Sequence, residues 1–251
     1  SRYDKIGIKQ VIRLEWMDKV LDLVLAELPT KNIRTEMMEY LSNKKQSGGE
    51  GQRGKEAIIK ALSILMQAWC TPVKEIAALR DECLSIARKI PQNKRLFLHW
   101  SMISAAYPFW ASAAKQTGRL LKLQDQTTQK QIVSRLKEQY GDRETITRYG
   151  RYVVRSFIAW GVLKDTKAKG FYAKGTQQII SSQTSALLLL ESSLLSIPEG
   201  KSTIRSLLSS PGLFPFSLPN LSGDLISMKS PRLEIAHHGF EDEIVKLSRK
   251  V

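Results

Sequence analysis

Arg148, Arg151 and Arg155 recur at steps of three and four residues, the spacing that lines them up on one face of a helix. A row of guanidinium groups suits two contacts at once. Each can form charge-assisted hydrogen bonds to phosphate, and each offers a bidentate fork that matches the guanine edge in the major groove. Lys164, Lys167 and Lys169 follow in "KDTKAKG", a basic turn, and Lys130 and Arg135 precede the row. Residues 110–175 hold 14 Lys and Arg against 5 Asp and Glu, so a net of +9 out of the chain's +15 lies in about a quarter of its 251 residues. The chemistry expected of this stretch is the grip on a polyanion, with phosphate contacts supplying affinity and salt dependence.

The elements needed to present these cations are legible around them. Over 144–160, Ile146, Tyr149, Val153, Phe157 and Trp160 form an apolar stripe opposite the arginines. Residues 128–140 predict a second amphipathic helix with Ile132, Val133, Leu136 and Tyr140 inward, and Gly141-Asp142 makes the turn between the two. Val162-Leu163 and Phe171-Tyr172 predict two strands flanking the basic turn. Lys130 and Arg135 would anchor the backbone from the first helix, the arginines would face the groove and adjacent phosphates, and the three lysines would cap the ribbon.

The stretch "RYVVRSFIAWGVLKDTKAKGFYAKG" resembles the recognition-helix and wing segment of winged-helix DNA-binding proteins, with residues 110–175 as the extent of the likeness. The resemblance implies a helix laid in the major groove and a wing over the neighbouring backbone. The wider layout, a helical N-terminus, a central winged helix and a short α/β tail, is similar to the BrxA-like accessory proteins of bacterial BREX phage-defence islands. That likeness implies an accessory or regulatory role beside other subunits of a defence or regulatory complex. No diagnostic motif matches residue by residue, and the first helix is long and the turn short for a helix-turn-helix. Two readings from other classes compete. One is a scaffold subunit whose winged helix mediates protein–protein assembly. The other is an RNA-binding factor, disfavoured because no aromatic platform for unstacked bases is evident.

Other chemically suggestive groups lead to structural readings. In "GGEGQRGKE", four residues separate Gly49 from Gly54-Lys55, as in a phosphate-binding loop. Glu56 stands where that loop needs Ser or Thr, and the preceding "EMMEYLSNKKQSG" is a helix end, not a strand. The stretch reads as a Gly-rich connection whose Lys44, Lys45, Arg53 and Lys55 could touch a nucleic-acid backbone. His99, in the aromatic "FLHWSM", reads as a core histidine. His237 and His238 are neighbours in a predicted strand, so they point to opposite faces and cannot share a metal. A base at His238 beside Glu241, Asp242 and Glu243 is conceivable, but the acidic pair reads better as charge on a terminal helix. Cys70 and Cys83 occupy apolar positions of predicted helices and read as buried free thiols of a reducing compartment. No catalytic residue, metal or cofactor is expected. The longest apolar run, "ALLLL", is far too short to span a bilayer and no signal peptide is evident. A cytoplasmic, non-enzymatic protein with duplex DNA and no membrane among its partners is expected.

The fold class expected is mainly α: a helical bundle over 1–95, a winged helix over 96–176 and a small α/β module over 177–251. The first helix is predicted through "IGIKQVIRLEWMDKVLDLVLAEL", followed by one capped at Thr30, one over 55–69, and one restarting at Thr71-Pro72. Two helices are predicted on either side of Pro108. In the tail, "SSQTSALLLLESSLLS", "KSTIRSLLSS" and "FEDEIVKLSRK" predict helices and "RLEIAHHG" a strand.

Overall fold

The computed structural model describes residues 2–4, 6–44, 54–238 and 242–248. Four helices come first: α1 (Leu14–Leu25), α2 (Thr30–Ser42), α3 (Lys55–Trp69) and α4 (Lys74–Ala87). Three of their starts differ from the sequence expectation. α1 begins at Leu14, eight residues into the predicted helix. Ile8 and Ile12 are still fully buried, but from an extended segment. That segment stays extended because Ile12 exchanges both of its backbone hydrogen bonds with side chains far along the chain, Ser156 and Trp160. Thr30 is the first helical residue and Pro29 takes the cap position. α4 starts two residues beyond Pro72, with Val73 at its cap.

Next come α5 (Leu96–Ala106) and α6 (Pro108–Leu123), parted at Pro108 as expected. Every residue of α5 from Phe97 to Ala106 is buried. A helix apolar on all sides needs neighbours all round, and α1, α3, α4, α6 and α9 (Gln183–Leu195) supply them. α9 is nearly as fully buried, its Ser185, Glu191 and Ser192 included, and runs against α5. Arg2 joins their C-terminal ends. One guanidinium nitrogen donates to the Ala105 carbonyl at 2.7 Å and another to that of Leu195, placing a cation where both helix dipoles are negative. The buried residues form one cluster from Ile8 to Val245, so the three segments distinguished in the sequence share a core.

Between α6 and α9 lie β1 (Gln126–Thr128), α7 (Gln129–Tyr140), α8 (Glu144–Ala159), β2 (Leu163–Asp165), β3 (Phe171–Lys174) and β4 (Gln178–Ile179). β1, β3 and β2 make an antiparallel sheet in that order. After α9 come β5 (Lys201–Thr203), α10 (Ile204–Leu208), β6 (Phe216–Ser217), α11 (Gly223–Lys229), β7 (Leu233–His238) and β8 (Asp242–Leu247). The predicted terminal helix is therefore strand β8: it sits between β5 and β7, and Val245 points into the core. Pairing on both edges outweighs the helix preference of its Glu, Lys and Leu residues.

The two halves of this region share a topology absent from the sequence reading. Helix, strand, helix, helix, strand, strand occurs as α6-β1-α7-α8-β2-β3 and again, with β6 inserted between its second and third helices, as α9-β5-α10-α11-β7-β8; the last strand is central in both sheets. In both, a Thr ending the first strand caps the next helix through its side chain, Thr128 for α7 and Thr203 for α10.

The second unit adheres to the first through the turn at Pro211–Leu213, which lies on α6. The approach requires a glycine: a Cβ at Gly118 would fall 1.9 Å from the Pro211 carbonyl oxygen. Backbone cannot step aside as a side chain can. Gly118→Ala is expected to cost about 1–3 kcal/mol, seen as a fall of several degrees in Tm by calorimetry; an unchanged Tm would refute the contact.

Candidate nucleic-acid interface

α7 starts with a complete capping box. Gln131 N–H donates to Thr128 Oγ1, and Thr128 N–H donates to Gln131 Oε1 at 2.9 Å. Ile132, Val133 and Leu136 are buried as predicted and Tyr140 half-buried, so α7 lies between α6 and α8. α8 ends in a Schellman motif. Gly161 N–H donates to Ile158 O, Val162 N–H donates to Phe157 O, and Gly161 takes φ +71. Phe157 and Val162 are both buried. In "AWGVL", then, Gly161 stops the helix and Val162 turns the chain into β2.

Outside contacts fix the C-terminal half of α8. Trp160 Nε1 donates to Ile12 O at 3.0 Å, Ile12 N–H donates to Ser156 Oγ at 2.9 Å, and Ser156 Oγ donates to Tyr152 O at 2.7 Å. The Phe157 and Trp160 rings sit in an aromatic cluster with Trp100 and Trp110. Of the predicted stripe, Ile146, Val153, Phe157 and Trp160 are buried and Tyr149 half-buried.

On the opposite side, Arg148, Arg151 and Arg155 are all exposed and form no hydrogen bond or ion pair among the described residues. The row presents three unneutralised cations on a helix that cannot readily shift. Lys164 stands on β2 and Lys167 and Lys169 in the turn to β3, all exposed. The lysine-bearing hairpin leaves directly from the end of the arginine helix. Lys130 is exposed at the start of α7. Arg135, also on α7, forms an ion pair with Glu138 at 3.3 Å, which offsets part of its charge. Sequence reasoning passed over Lys174 on β3 and Lys9 in the extended segment that docks on α8, both exposed. Net charge by residue type pointed to Lys174, whereas Lys9 lies in a segment tied to the buried side of α8 through Ile12.

Among its described residues the second unit has no such face. Residues 183–248 hold 5 Lys and Arg against 7 Asp and Glu. α11, the counterpart of α8, exposes Asp224, Ser227, Met228 and Lys229.

His99 is fully buried. The Trp69 indole, a donor only, points at Nδ1 (3.2 Å), so the ring proton sits on Nε2 and is donated to Asp18 Oδ1 at 2.9 Å. No lone pair remains for proton abstraction. Burial pulls the His99 pKa below its ordinary value, against the opposing hydrogen bond to Asp18. A lowered folded pKa means that the unfolded chain takes up the proton first. The resulting stability is present above about 6.5 and lost as pH falls through the lowered value. Tm is expected to drop from about pH 7.5 to about pH 5.5 more steeply in the wild type than in His99→Gln; equal slopes would refute the neutral ring.

Cys83 is buried and Cys70 half-buried, both free thiols, and burial pushes the Cys70 pKa up to about 11. Among the described residues no group of three or more His, Cys, Asp or Glu could hold a metal ion, and no helix is long and apolar enough to cross a membrane. The side chains of His237, His238 and Asp242, and Lys45, Arg53 and Glu241 entirely, lie outside the described residues. No protein-family model, curated protein or solved structure matches this chain.

Proposed function

We propose that residues 108–175 form a winged helix that binds duplex DNA, with α8 in the major groove and the β2–β3 hairpin as the wing. The observation that carries this reading is the pairing of an unneutralised Arg148–Arg151–Arg155 face with a hairpin that presents Lys164, Lys167 and Lys169 from the adjacent element. The strand order β1-β3-β2 around two helices and the net +9 of this stretch support it. Lys130 reaches phosphate from α7, and Arg135 does so once it leaves Glu138. The protein acts by binding and not by catalysis, a reading favoured by the occupied ring nitrogens of His99. A place among the accessory proteins of a phage-defence system rests on the resemblance in layout alone.

A second reading concerns the second unit. Its net charge of −2 and the exposed Met228, 77% accessible, favour a protein partner over nucleic acid. On this reading one unit holds DNA and its counterpart holds another subunit.

The test is fluorescence anisotropy of a labelled random duplex across a salt series, for the wild type and the Arg148→Ala/Arg151→Ala/Arg155→Ala variant. Binding that weakens steeply with salt and is lost in the variant is the expected result. Absence of wild-type binding at low salt would remove the reading and leave the basic face to an acidic protein.

A further inference from the structure

A cavity of about 1060 Å³ opens between α6 and the second unit, and none of the α8 arginines lines it. It is large enough for a ligand of nucleotide size. α6 gives it Ser112, Lys115 and Arg119, one turn after another. The facing wall comes from the end of α9, β5, α10 and the turn after it, and contributes Ser202, Ser206 and Ser210, hydroxyls that keep protons to donate. α7 closes the mouth with Arg135, Gln139 and Tyr140.

Two features of this cavity are unexplained by folding. Lys115 and Arg119, both solvent-exposed, stand one turn apart with no ion pair among the described residues. Partial burial and the neighbouring guanidinium pull the Lys115 pKa down, against a weaker opposing pull from Glu199. Two like charges held together in a cleft favour an anion between them. The second feature is Ser104 on α5, which lines the cavity, is 4% exposed, and has a hydroxyl with no hydrogen-bond partner. A buried hydroxyl in a helix ordinarily bonds the carbonyl one turn back, so an orphan here faces a partner that the chain does not supply. Two carboxylates also line the cavity, Asp4 and Glu138, both exposed, and Glu138 is already paired with Arg135.

We propose that this cleft binds a phosphate-bearing small molecule, its phosphate groups held by Lys115 and Arg119 and by the serine hydroxyls, and its remainder seated over Ser104. The occupant would touch α7, which packs beneath the arginine helix. This proposal does not depend on DNA binding.

Isothermal titration of the full chain with inorganic pyrophosphate, ADP and adenosine tests it. Pyrophosphate and ADP are expected to bind and adenosine not to. Lys115→Ala/Arg119→Ala should weaken binding at least about tenfold, because charge-assisted hydrogen bonds are lost. Ser104→Ala should weaken ADP while leaving the Tm of the unliganded protein unchanged or raised, since it deletes only an unpaired group. Arg148→Ala/Arg151→Ala/Arg155→Ala should leave all these affinities intact. No heat from either phosphate probe would overturn the proposal. So would phosphate binding that survives Lys115→Ala/Arg119→Ala and disappears in the α8 variant, which would place the anion on the other face.

Discussion

Arg232→Ala is expected to destabilise the protein by about 3–5 kcal/mol, enough to lower Tm by roughly 6–20 °C. Arg232 lies in the turn between α11 and β7. Its Nε and Nη2 donate to both oxygens of Glu191 on α9, at 2.7 and 2.8 Å, and Nη1 stands 3.7 Å from Glu82 on α4. Glu191 is 4% exposed, deep beside the buried Cys83 thiol. Alanine would leave that carboxylate without its fork in a low-dielectric site, and the loss measured would be the penalty on the orphaned Glu191. Glu191→Leu/Arg232→Leu should therefore be distinctly more stable than Arg232→Ala, because it removes both charges and fills the space. Chemical denaturation of the three proteins checks this. A double variant no better than Arg232→Ala would mean that the pair supplies net attraction over the cost of its burial.

Loss of duplex affinity in Arg148→Ala/Arg151→Ala/Arg155→Ala is expected to reach about a hundredfold or more, with each arginine worth about 1–3 kcal/mol. The salt dependence separates the kinds of contact. Each phosphate contact contributes about −0.9 to the slope of log K against log salt, so three phosphate-bound arginines would flatten it by about 2.7. Affinity lost without flattening would assign the arginines to base edges. Lys164→Ala/Lys167→Ala/Lys169→Ala should flatten the slope and weaken all duplexes alike, since a wing on the backbone reads no sequence. The Arg variant should fold normally, because the three side chains are exposed and make no contacts that hold α8 in place. Its α8 is retained by Phe157, Trp160 and the Ile12 hydrogen bonds. Circular dichroism and an unchanged Tm would verify that binding alone was altered.

Local chemistry determined much of this protein from the sequence by itself. The 3.6-residue period of α7 and α8, the break at Pro108, the hairpin around "KDTKAKG" and the burial of Cys83 and His99 follow from residue types read over a few turns. The arginine face was legible for the same reason, since three charges at helical spacing opposite an apolar stripe have only one side to occupy. What the tertiary structure decided involves partners distant in sequence. Ile8 and Ile12 have helical spacing, yet their segment is extended because Ser156 and Trp160 bond its backbone across more than 140 residues. "DEIVKL" has helix-forming residues, yet becomes the central strand of a sheet whose neighbours are β5 and β7. The repeated unit stayed hidden because β1, β2 and β5 have three residues each, too few to display an alternation. The cavity beside α6 was equally invisible: Ser104, Lys115 and Ser210 come together only because Gly118 lets the Pro211 turn lie against the helix. Periodicity reports which face of an element is buried, whereas only packing between elements decides what that face meets.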